Sequence, residues 1–161
     1  MATNNHHFKG KKVLDAMSEA YADEVFEEYE FWRNLGVRMF HNRYYPTMVC
    51  SCTDRNETAF VANFSHTPSL KEYSMTKMLG EMGQEFSPTG VIKKKDDLYR
   101  DSMHRFPIGQ CAEQHAANDL LKLVGNSLNI KNELFFGKPV RTATGEDNIA
   151  YCDNCSNLFD L

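Results

Sequence analysis

The chain has 161 residues, enough for one domain with an added lobe and too few for two independent cores. It is 42% hydrophobic and 25% charged, so it can bury a core and does not have a disordered composition. A formal charge of −4, from 22 acidic against 18 basic residues, argues against a strong non-specific grip on polyanions. No stretch approaches the ~18 uninterrupted apolar residues of a membrane span. The polar start, with Asn4, Asn5, His6 and His7, lacks the apolar run of a secretory signal. The expectation is a protein with no membrane segment and a cytoplasmic location.

In chain order, Leu14, Met17, Tyr21, Val25, Tyr29 and Trp32 recur every three or four residues, which predicts a long helix over about 12–40 with these side chains on its packed face. Asp23, Glu24, Glu27, Glu28 and Glu30 read as its solvated side, and Gly36 as a kink or an end. The period then changes. Residues 47–52 and 58–64 are β-type runs, and the polar Asp54-Arg55-Asn56-Glu57 between them suits a hairpin turn. Pro68 is placed to open a helix through about Met82. From Gly83 to Gly109 the breakers Pro88, Gly90 and Pro107 predict a loop-rich insertion with at most one short helix. Cys111 to Val124, rich in Ala and Leu, is a further helix stopped at Gly125. Residues 133–140 are the third strand, and Cys152-Asp153-Asn154-Cys155 opens a last short helix.

The five cysteines carry the functional signal. They are Cys50, Cys52, Cys111, Cys152 and Cys155, an odd and sparse set that does not resemble a disulfide scaffold. Cys50 and Cys52 are two apart on a strand, so they share a face and read as core residues. A C-x-x-C pair at a helix start offers two sulfurs to one ion, and a third thiolate from another helix completes three of the four tetrahedral positions of Zn²⁺. Helix N-termini favour the thiolate form, so the expected ligands are Cys111, Cys152 and Cys155. Glu113, two residues after Cys111, then lies beside the metal without ligating it. The ion would acidify a water in the open position, and a carboxylate there could take and return its proton.

Cys111-Ala112-Glu113 followed by Cys152-x-x-Cys155 resembles the zinc signature of the cytidine deaminase-like superfamily. The Cys-Ala-Glu form is nearest the bacterial toxin-type branches, such as the YwqJ-like deaminases. The resemblance covers roughly residues 44–161. It implies an α/β fold with a deaminase-like three-layer core and a mixed sheet, in the order hairpin, helix with the first ligand and the Glu, strand, helix with two cysteines. Residues 1–43 are then an N-terminal helical extension of a single 1–161 domain, and about 66–108 an insertion. Members continue past the C-x-x-C helix with more sheet. The resemblance therefore implies a reduced sheet here, or outer strands from another segment or from a second copy in a homo-oligomer.

What the resemblance implies for function is hydrolytic deamination of a nucleobase, cytosine ahead of adenine, in single-stranded DNA or RNA, with Zn²⁺ as cofactor. Glu113 would be catalytic, and Asn63, Ala112 and Tyr151 substrate-binding, Tyr151 standing where the signature carries proline. The acidic balance keeps free nucleoside or nucleotide open as substrate. A non-enzymatic reading also stands: Cys111 and His115 are four apart on one helix, so a closed Cys₃His site is the structural rival. Lys93, Lys94, Lys95, Tyr99, Arg100, His104, Arg105 and Phe106 form a basic and aromatic stretch that could border the pocket, or a solvated loop balanced by Asp96, Asp97 and Asp101. His66 and His104 read as ordinary loop histidines.

Overall fold

Strand β1 (Met48–Asp54) organises the fold, because its alternating side chains supply the core of both faces of the sheet. The computed structural model describes residues 10–36, 47–65, 84–86, 92–94, 111–125, 128, 130–152, 155, 156 and 159–161, with backbone alone at 33, 84–86 and 92–94. The described elements are α1 (Lys11–Asn34), β1, β2 (Phe60–Phe64), β3 (Gln84–Phe86), β4 (Ile92–Lys94), α2 (Ala112–Val124), β5 (Leu134–Phe136) and β6 (Val140–Arg141). Among the described residues the fold is mixed α/β, with an open four-stranded antiparallel sheet and two helices.

The expected hairpin forms. β1 pairs antiparallel with β2, Val49 opposite Phe64 and Thr53 opposite Phe60. Asp54 closes its turn: one carboxylate oxygen accepts from the Thr58 amide at 2.7 Å and the other from the Thr58 hydroxyl at 2.7 Å. On its other edge β1 pairs with β5 (Cys52 opposite Phe136) and with β6 (Val49 opposite Val140). Three steps along β1, Val49 to Cys52, thus face four on the opposing strand, Phe136 to Val140, so one extra residue bulges out. Pro139, which has no N–H to give a ladder, falls in that bulge.

The even residues Cys50 and Cys52 face α2, where they are fully buried with Ala112, Ala116, Ala117, Leu120, Leu121, Phe136, Cys155 and Phe159. Alanines on this stripe let the helix lie close to the sheet. Val49 faces the other way and packs with Ala22, Val25 and Val140, while the Ser51 hydroxyl donates to the Leu14 carbonyl at 2.5 Å and meets the Ser18 hydroxyl at 2.9 Å. Phe64, opposite Val49, is met by Tyr21 and Tyr29 of α1. A helix therefore covers each face of the sheet.

Five expectations need correction. The sheet is not mixed in its described pairings, all of which are antiparallel. The connection through α2 does make β2 and β5 parallel to each other, but β1 lies between them and no parallel ladder results. On α1 the buried positions are Leu14, Ser18, Ala22 and Val25, whereas Trp32 is exposed. Cys111 is not inside its helix but caps it, with extended φ −67° and ψ 146°. The third strand is broken into β5 and β6. Within the 66–108 insertion the described residues form the β3–β4 ladder rather than a helix. The helix expected after Pro68, the stretch from Lys95 to Phe106, and His66 and His104 lie outside the described residues.

Candidate metal centre

Two packing events bring the three sulfurs together. First, Cys111 sits at the start of α2, which the alanine stripe presses onto β1. It accepts amide bonds from Gln114 and His115 through its carbonyl, at 3.1 and 3.2 Å, and its side chain makes no capping bond. Its thiol is therefore left to meet Cys152, Sγ to Sγ 3.6 Å. Second, the segment holding Cys152 and Cys155 is pinned on both sides to β5 and the bulge. The Tyr151 hydroxyl donates to the Gly137 carbonyl at 2.8 Å, and the fully buried Phe159 ring lies 4.6 Å from that of Phe136. Between these pins the chain turns: the Ser156 amide donates to the Cys152 carbonyl at 2.8 Å and the Cys155 amide to the Cys152 sulfur at 3.4 Å.

The sulfurs of Cys111, Cys152 and Cys155 all lie within 4.8 Å of one another. None is in a disulfide. The 3.6 Å separation is far above the ~2.05 Å of an S–S bond. It is close to the about 3.8 Å that two sulfurs span on one tetrahedral ion with Zn–S ~2.3 Å. The donor set and its spacing thus fit a thiophilic tetrahedral cation such as Zn²⁺. The group contains no histidine nitrogen among the described residues, so His115, buried on α2, stands outside it.

Glu113 is buried beside the sulfurs, its Oε2 accepting from Cys155 Sγ at 3.6 Å. Burial, with Cys152 nearby, pushes its carboxyl up to about 7. The thiols do not behave as a helix terminus alone would have them. Cys111 is held above its ordinary value by its contact with Cys152 and by burial, and Cys155 by burial and the same crowding. Without a cation, crowding and desolvation outweigh the helix dipole. Gln114, with no exposed surface, donates to Cys155 Sγ at 3.6 Å; in the sequence only its place between Glu113 and His115 on the Ala-rich helix marks it.

The expected substrate-binding residues are placed as follows. Ala112 is buried in the α2 stripe, and Tyr151 directs its hydroxyl to backbone carbonyls. Asn63, opposite Cys50 on the α2 side of the sheet, donates to Asp119 at 2.7 Å, two turns along the helix from Cys111. Cys50 and Cys52 are core residues, as expected, and Cys50 donates to the Gly137 carbonyl at 3.3 Å. No helix among the described residues is long and apolar enough to cross a membrane. No protein-family model matches the chain, and neither a curated protein nor a solved structure is found to be similar to it.

Proposed function

We propose that the protein is a zinc-dependent hydrolytic deaminase of a nucleobase, with cytosine the favoured base and a single-stranded nucleic acid the favoured substrate. The observation that carries the reading is the buried Glu113 carboxyl lying 3.6 Å from one of three converging cysteine sulfurs. Cys111, Cys152 and Cys155 would hold the ion, which supplies Lewis acidity at its remaining position. Glu113 would pass on water's two protons in turn, one to the ring nitrogen and one to the departing amine, so that N=C–NH₂ and H₂O become HN–C=O and NH₃. Burial raises this carboxyl above its ordinary value, which suits a group that must both take and return a proton.

The element order supports the same reading. A hairpin, a helix capped by Cys111, a strand and a C-x-x-C turn follow one another in the order the family resemblance implies, and a helix lies on each face of the sheet. Tyr151 and Asn63 are held by Gly137 and Asp119, so substrate would meet them as fixed walls.

The test is mass spectrometry of the zinc-loaded protein after incubation with single-stranded DNA, RNA and free nucleosides in parallel. Uracil is the expected product, and Glu113→Ala is expected to keep one zinc per chain while forming none. If His115→Ala releases the metal and no base is converted in any arm, the closed structural site is the better account.

A further inference from the structure

Among the described residues, Gln114 is the one polar residue of the largest fully buried side chains. Around it on α2 the buried residues are the apolar Ala112, Ala116 and Ala117 and the polar Glu113, His115 and Asn118. A primary amide in such a place carries two N–H donors and a carbonyl, and burying it without partners costs several kcal/mol on apolar transfer scales. Leu or Met would fill the same volume without that cost. The amide is used where it points: Nε2 lies 3.6 Å from Cys155 Sγ.

Cys155 is held from two directions. Its sulfur faces Glu113 Oε2 at 3.6 Å and the Gln114 amide at 3.6 Å. While the sulfur carries its proton, it can donate to Glu113 and accept from Gln114. Once it binds a cation as thiolate, it has no proton left to donate to Glu113. The second contact gains, because an N–H bond to an anionic acceptor is charge-assisted and about twice as strong as a neutral one. Three thiolates on a divalent ion leave a net charge of −1 in a buried site already holding a carboxyl. Gln114 is placed to offset that charge without adding one.

We propose that Gln114 is a positioning residue of the metal centre: its carboxamide holds the Cys155 sulfur in the ligand triangle and draws charge from it. The inference rests on the metal-centre reading of the three cysteines. It is independent of which base, if any, is deaminated.

The experiment uses cobalt(II) as the probe, titrated into the metal-free full chain and followed by its sulfur-to-cobalt charge-transfer absorption. In Gln114→Met the donor is gone but the volume is kept, so the protein stays folded. In Gln114→Asn a buried amide remains but its N–H no longer reaches the sulfur. Both variants are expected to bind one cobalt with the charge-transfer band moved to longer wavelength, because a thiolate lacking its hydrogen bond is the better electron donor. Both are expected to bind cobalt about 10- to 100-fold more weakly, the usual effect of removing a partner of a metal ligand. A purely structural Gln114 would alter the melting temperature and leave band and affinity as in the parent. That result in the two variants overturns the proposal. Failure of the unmodified protein to bind cobalt through sulfur removes the metal-centre reading itself, and this inference with it.

Discussion

Gly137→Ala is expected to be among the most damaging single-methyl additions to this fold. Gly137 lies at the bulge between β5 and β6, where α1 passes close to the sheet. A Cβ there would come within 2.2 Å of the Ser51 hydroxyl, 2.5 Å of the Leu14 carbonyl oxygen and 2.7 Å of its carbon. The hydroxyl cannot swing away freely, because it donates to the Leu14 carbonyl and receives the Ser18 hydroxyl. The Leu14 backbone cannot retreat without lifting α1, whose first turns are tied to the bulge: Asp15 accepts the Lys138 amide at 2.8 Å, and the Lys138 ammonium pairs with Glu19 and Asp147. Overpacking costs about 1–3 kcal/mol in well-packed cores, and two backbone contacts in the clash put this case at the upper end, about 3 kcal/mol. For a chain of this size that corresponds to a melting temperature about 6–12 °C lower.

Chemical denaturation of Gly137→Ala, Ser51→Ala and the double variant reads the effect. Removing the Ser51 hydroxyl relieves the nearest contact only, so the double variant should recover a part of the loss and show a coupling of at least about 0.5 kcal/mol. Metal binding should weaken in parallel, since the Gly137 carbonyl is the acceptor that fixes Tyr151, next to Cys152. Gly137→Ala with parental stability would refute the claim that α1 is a fixed layer of the fold.

Two further outcomes follow from the same packing. Burial alone would raise the Asp54 carboxyl, but the hydrogen bonds from Thr58 and Ala59 outweigh it and hold the group below its ordinary 3.8. A depressed folded value means that this stability is present above the unfolded value and is lost as pH falls through the folded one. Thr58→Val should therefore cost about 1–2 kcal/mol in denaturation at pH 7, a difference that shrinks below pH 3.8. Phe159→Ala removes the ring that anchors the end of the chain on Phe136; it should cost about 3–5 kcal/mol by the same assay and weaken zinc binding at Cys152 and Cys155.

Much of this arrangement is legible in the residues. The alternation of 48–54, the polar turn after it, the alanine stripe of α2 and its stop at Gly125 are local signals, and the structure obeys them. The grouping of Cys111 with Cys152 and Cys155 was readable because metal-ligand spacing is stereotyped. The errors come from features set by tertiary partners. Counting large apolar residues on α1 favours Trp32 and skips Ser18 and Ala22. Yet α1, at 24 residues, is about 36 Å long, while the seven residues of β1 span about 24 Å. The last turns therefore run past the strand, and Trp32 goes with them. Ser18 is buried because Ser51 lies across from it, which no period along one segment reveals. The bulge at 137–139 and the amide of Gln114 beside Cys155 are likewise visible only once two distant segments meet.

The central claim is that three sulfurs hold one cation and leave a corner open beside Glu113. X-ray absorption spectroscopy of the zinc-loaded protein tests it most directly. The account predicts three sulfur scatterers at about 2.3 Å and one oxygen at about 2.0 Å, a pattern that His115→Ala should leave unchanged. An imidazole from His115 in the fourth position, or fewer than three sulfurs, would contradict it.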